Sequence, residues 1–165
     1  MTLVLLLIVV AAVWMLVAPG ARFLPEFGRL LTAPMIERGP FNFFSGRSYV
    51  SGAFQGREVA VRLQLKRSRY GQGYLVVALR LEGPAALDEA GGGASIDAQV
   101  HDAAGRRAIS MLVSHGLLLS VEEGWLKALW QPQGFIIFPG RFSADKWRQV
   151  LESLATLATS LERAS

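Results

Sequence analysis

The sequence predicts an α+β chain: an N-terminal transmembrane helix followed by one domain, an antiparallel sheet packed by a mid-chain helix and a long C-terminal helix. Three observations carry this. Residues Thr2 to Ala18 form an uncharged apolar run, residues 58–66 and 74–81 each place apolar side chains with a period of two, and the last twenty or so residues place their apolar side chains at helical spacing.

The apolar run reaches about 26 Å at ~1.5 Å per residue, slightly short of a hydrocarbon core of about 30 Å, which it can just span. A cleaved signal peptide needs a basic leading segment, and only Met1 and Thr2 precede this run. The expectation is one uncleaved span over residues 1–19, embedded in the lipid bilayer through residues 2–18. Arg22, Arg29 and Arg38 follow it. Basic residues beside a span are retained on the cytoplasmic side, so the soluble part is expected in the cytoplasm, the periplasmic or extracellular side being the alternative.

Residues 20–40 read as a juxtamembrane connector. Phe23, Leu24, Phe27, Leu30 and Leu31 are spaced as on a short amphipathic helix, with Arg22 and Arg29 placed to meet lipid headgroups. A linker packed on the domain accounts for the same spacing, because Pro25, Pro34 and Pro40 interrupt any long helix.

The domain is expected over residues 41–165. Arg47 to Phe54 is a strand by its aromatic and β-branched content, and Gln55–Gly56–Arg57 turns it into a second strand. There Val59, Val61, Leu63 and Leu65 alternate with Glu58, Arg62, Gln64 and Lys66, giving one dry face and one wet one. Leu75, Val77, Leu79 and Leu81 repeat the alternation against Tyr74, Val76, Ala78 and Arg80, which completes a meander. Gly91 to Gly93 lack the following Lys and Ser or Thr of a phosphate loop.

Ile96 to Val100 reads as a short strand. Asp102 is placed to cap a helix running through Arg106, Ile109, Leu112 and Val113, with His115 and Gly116 ending it. Leu117–Glu122 and Trp125–Gln131 flank Glu123–Gly124, a two-residue hairpin signal. Residues 134–138 suggest one more strand. Ser143 then caps a helix with Trp147, Val150, Leu151, Leu154, Leu157 and Leu161 on one face.

No catalytic constellation accompanies these elements. The pair His101–Asp102 lacks converging ligands, and His115 is accounted for as a helix terminus, so no metal site is expected. There is no cysteine, hence no disulfide or thiolate site, and no Gly-x-Ser-x-Gly elbow. The chain is expected to be no enzyme and to need no cofactor. Seventeen basic against thirteen acidic residues give a net charge of +4, and only Tyr70 and Tyr74 interleave the central basic cluster, so nucleic acid is not expected as a partner.

Two surfaces remain as candidates. Trp125, Trp130, Phe138, Arg141 and Phe142 form an aromatic region suited to an interaction surface, and Arg62, Lys66, Arg67 and Arg69 join Arg22 and Arg29 as headgroup contacts. The function these imply is a non-enzymatic interaction module at the membrane, with a membrane protein as a candidate partner. The alternative is a membrane-anchored binder of a small apolar ligand or lipid in a cavity between sheet and helix.

Overall fold

The computed structural model describes residues 4–8, 24–37, 49–65, 73–83, 96–130 and 143–164. Six strands, β1 (Thr32–Glu37), β2 (Tyr49–Phe54), β3 (Arg57–Leu65), β4 (Gly73–Arg80), β5 (Leu117–Glu122) and β6 (Trp125–Trp130), form one antiparallel sheet in the order β1-β2-β3-β4-β6-β5. With helices α1 (Ile96–Gln99), α2 (Ala103–Ser114) and α3 (Ala144–Ala164), the α+β fold expected from the sequence is present.

The two tight hairpins follow from backbone chemistry. Gln55–Gly56 and Glu123–Gly124 each hold two consecutive residues at positive φ (52° and 82°, 54° and 73°), the combination whose twist matches the strands it joins. Glycine is needed at the second position because a Cβ there costs about 1–2 kcal/mol in the left-handed region. Gly124→Ala is expected to lower stability by about 1 kcal/mol in a urea titration, since the added methyl would meet only the Arg80 guanidinium, at 3.6 Å, and the cost is conformational.

One face of the sheet, called the inner face, packs on the helices. Val50, Val59, Val61, Leu75, Val77, Leu79 and Leu126 meet Val150, Leu151, Leu154 and Leu157 of α3 and Leu112 of α2 in one continuous core. All six residues expected on the apolar stripe of α3 are buried. The buried face of α2 is Gly105, Ala108, Ile109 and Leu112, so it starts one residue before Arg106, and Val113 points to solvent.

Two segments differ from expectation. Ile96–Gln99 is a helical turn rather than a strand. Ile96 and Val100 are buried while Ala98 between them is exposed, which is one helix face and not a period of two. Residues 24–37, read from the sequence as a connector lying at the membrane interface or packed on the domain, pack on the domain and add an edge strand to its sheet. Residues 24–28 are helical, and Leu24, Phe27 and Leu31 enter the core, Phe27 meeting the edge of Trp147 at 5.4 Å. The aromatic and aliphatic spacing that suits a membrane interface suits the flank of α3 equally well. Thr32–Glu37 then pairs with β2, and its Pro34 is tolerated because β1 is an edge strand.

Among the described residues no helix is long and apolar enough to cross a membrane. Of the apolar run at 2–18 only residues 4–8 are described, and these are helical. The rest of the expected span lies outside the described residues, as do the glycine loop at 91–93 and the strand expected at 134–138.

Candidate binding groove on the outer face

The face of the sheet away from the helices, the outer face, carries rows of side chains set by register. One row runs Glu37, Tyr49, Arg62, Val76, Leu129 and Leu118 across β1, β2, β3, β4, β6 and β5. The next runs Met35, Ser51, Ala60, Ala78, Lys127 and Ser120. Because Ser51, Ala60 and Ala78 are small while their neighbours in the adjoining rows are long, the second row sinks into a trough across the strands.

This trough is a groove of about 630 Å³ lined by Glu37, Tyr49, Ala60, Arg62, Ala78, Glu123, Trp125 and Lys127. Ala60 faces Ala78 across the β3–β4 ladder and forms the floor. Val76 and Ala78, expected on a wet face by simple alternation, are buried at 2% and 8% exposure. Central position in a six-stranded sheet and the long side chains around them exclude water where a lone hairpin would not.

The rim is organised by hydrogen bonds and charge. Tyr49, opposite Glu37 in the β1–β2 register, donates its hydroxyl to the Glu37 carboxylate, which holds the phenol above its ordinary pKa. Arg80 lies over the Trp125 ring, its guanidinium carbon 5.3 Å from the centroid, and donates to the Glu123 carbonyl at 3.2 Å. Lys127 pairs with Glu122 at 2.6 Å. Arg62 is exposed and has no carboxylate within ion-pair distance among the described residues.

The surface residues named from sequence are distributed differently. Trp125 and Arg62 both line the groove, Arg62 from β3 and Trp125 from β6. Trp130 is an odd number of residues from Trp125 along β6, faces inward and is part of the core at 8% exposure. Arg29 is exposed beside the helical turn at 24–28. Phe138, Arg141, Phe142, Arg22, Lys66, Arg67 and Arg69 lie outside the described residues.

Comparison with known proteins finds no matching family, no similar characterised protein and no similar solved structure.

Sequence reasoning passed over Tyr49, Ala60, Ala78 and Lys127. A usable signal was present: Ala60 and Ala78 occupy equivalent outward positions in consecutive strands, and paired small residues flanked by long ones make a depression. What was missing was the register between β4 and β6, strands separated by more than forty residues of chain. The groove lies on the sheet face opposite to the helices, whereas the sequence suggested a cavity between the two. The inner face is occupied by leucine and valine side chains.

The groove offers an apolar floor, two aromatic walls and cationic side chains, and among the described residues no group of three or more His, Asp or Glu is gathered as for a metal ion.

Proposed function

We propose that this protein is a non-enzymatic binding module held at a membrane by residues 2–18, with its domain on the cytoplasmic side, and that it meets its partner through the outer face of the sheet. The observation that carries the membrane part is at residues 4–8. Val4, Leu5, Leu6, Leu7 and Ile8 are helical and all between 60% and 65% exposed, so every side of more than one helical turn is apolar and none is covered by the domain. Water is a poor environment for such a surface, at about 25 cal/mol for each Å² of apolar area, and lipid is a good one.

The outer face supports the binding part. Both long helices cover the inner side, so among the described residues no helix lies over the groove, and Met35 and Leu118 are exposed on the two edge strands of the same face. Exposed apolar side chains flanking an aromatic groove are the usual composition of a contact surface.

Two measurements on the full-length chain test the reading. Alkaline carbonate extraction should leave the protein in the membrane pellet; release into the supernatant would sink the anchor. A photo-crosslinker placed at Ser51, on the outer face, should capture membrane components in intact cells, while one at Glu152, on the exposed side of α3, should not. Equal labelling from both positions would remove the outer face as the binding surface.

A further inference from the structure

Resting on the reading of a membrane-held binding module, we infer that the groove holds a single anionic lipid. Its phosphate or carboxylate sits against Arg62 and Lys127, and its apolar part lies over Ala60 and Ala78.

Size sets the class of occupant. A volume of about 630 Å³ falls within the range of about 300–1,000 Å³ typical of sites for one small molecule. The trough also crosses the strands instead of running along them, so a bound peptide would find no ladder of backbone groups to pair with.

Charge sets the headgroup. Of the acidic groups at or beside this rim, Glu37 accepts from Tyr49, Glu122 accepts from Lys127, and Glu123, which lines the groove from the β5–β6 turn, is not within ion-pair distance of Arg62. Arg80 is stacked on Trp125 and bonded to the Glu123 carbonyl. Arg62 is left as a groove cation with no anion among the described residues, and a guanidinium is matched by the oxygen pair of a phosphate or carboxylate. Lys127 is placed to assist. Its side chain is 15% exposed, whereas that of Glu122 is 62% exposed, so Glu122 can turn into water while the ammonium stays and donates to a headgroup oxygen in its place.

The apolar floor and the aromatic rim favour a lipid over a water-soluble anion. Ala60 and Ala78 offer methyl groups and no hydrogen bond, which suits a hydrocarbon chain and wastes a sugar or a bare phosphate. Tyr49 and Trp125 present an apolar body and a polar edge, the combination found where a headgroup meets a chain.

The test uses the full-length protein in a neutral detergent and short-chain lysophosphatidate as probe, read by native mass spectrometry and by tryptophan fluorescence. Lysophosphatidylcholine with the same chain and glycerol 3-phosphate serve as the other arms. Saturable binding of lysophosphatidate alone is expected, weakened about tenfold by Arg62→Glu, which removes a charge-assisted contact. Ala78→Leu should weaken it by filling the floor, while Arg163→Glu at the end of α3 should leave it unchanged. Circular dichroism checks that each variant is folded. Should Ala78→Leu fail to fold, the exposed Arg62 still decides the matter. Equal binding of the choline lipid would overturn the headgroup assignment, and equal binding of glycerol 3-phosphate would overturn the lipid. No effect of Arg62→Glu would overturn the site. Failure here with carbonate-resistant membrane association and outer-face crosslinks intact would remove the lipid inference and leave the binding module standing.

Discussion

Glu162→Gln is expected to lower the unfolding free energy by about 2–3 kcal/mol, because it strips one partner from a half-buried ion pair that ties three elements together. Arg57, the first residue of β3, reaches the last turn of α3 with both guanidinium nitrogens, at 2.6 and 2.7 Å from the two Glu162 oxygens. One of those oxygens also accepts the backbone N–H of Glu82, just beyond β4, at 2.7 Å. The second guanidinium nitrogen lies 3.4 Å from the Thr159 hydroxyl. Side chains in the pair are only 10% and 19% exposed, so water cannot replace the lost carboxylate as it would on an open surface. An equilibrium urea titration measures the change; a loss below about 0.5 kcal/mol would place the pair with ordinary surface ion pairs.

The same pair fixes a dependence on pH. Hydrogen bonding to Arg57 holds the Glu162 carboxyl below its usual value of 4.5, with the Glu82 N–H adding to it. A depressed carboxyl pKa stabilises the fold above the unfolded-state value, and that contribution is lost as pH falls through the folded-state value. Arg57 is shifted upward by the same contact, so it stays charged throughout the acid and neutral range and its own titration adds no pH dependence there. The acid limb of the stability curve, below about pH 4.5, should therefore be shallower in Glu162→Gln than in the parent chain.

Gly105→Ala is expected to destabilise the protein by about 1–2 kcal/mol, a sign opposite to that given by helix propensity. Alanine in the middle of a helix is favoured over glycine by about 1 kcal/mol when nothing else changes. At this position a Cβ would collide with Val100 Cγ1 and lie 2.8 Å from Ser160 Oγ and 2.9 Å from Ser160 Cβ. The Ser160 hydroxyl can rotate, but its Cβ is fixed to the backbone of α3, so relief requires the two helices to move apart. Overpacking of this kind costs about 1–3 kcal/mol and exceeds the propensity gain. Thermal melts of Gly105→Ala and of Gly105→Ser would measure it. An unchanged or raised melting temperature would show that the α2–α3 crossing yields without loss.

Gly105 also illustrates what the sequence can and cannot reveal. Asp102 as the start of α2 was legible from local chemistry, and its carboxylate does accept from the Gly105 N–H, which holds it below the usual carboxylate range. The reason for glycine three residues later was not fully legible, because beside the nearby Val100 it involves Ser160 of α3, more than fifty residues away. The two hairpins and the stripe of α3 were readable for the same reason as Asp102: each depends on neighbours within a few positions. Residues 24–31 stayed between two readings, a segment at the membrane interface and a linker packed on the domain, because an apolar helical face does not say whether lipid or protein will cover it. Only Phe27 against Trp147 and Leu31 against Gly52 decide that. The groove was hidden by a similar distance in sequence, since Ala78 and Lys127 become neighbours only when β4 and β6 pair.

That pairing divides the molecule in an unexpected place. Strands β1 to β4 are joined each to the next along the chain, and β5 to β6 likewise, so within the sheet every ladder but one links consecutive strands. The exception is the seam between β4 and β6, where Arg80 meets Trp125 and Leu75 meets Trp130. Loop-closure entropy, small at the two tight hairpins, is largest there, where more than forty residues separate the paired strands. The floor and one wall of the groove thus come from opposite sides of the one ladder that joins strands distant in the chain, and the groove exists only in molecules whose sheet is complete.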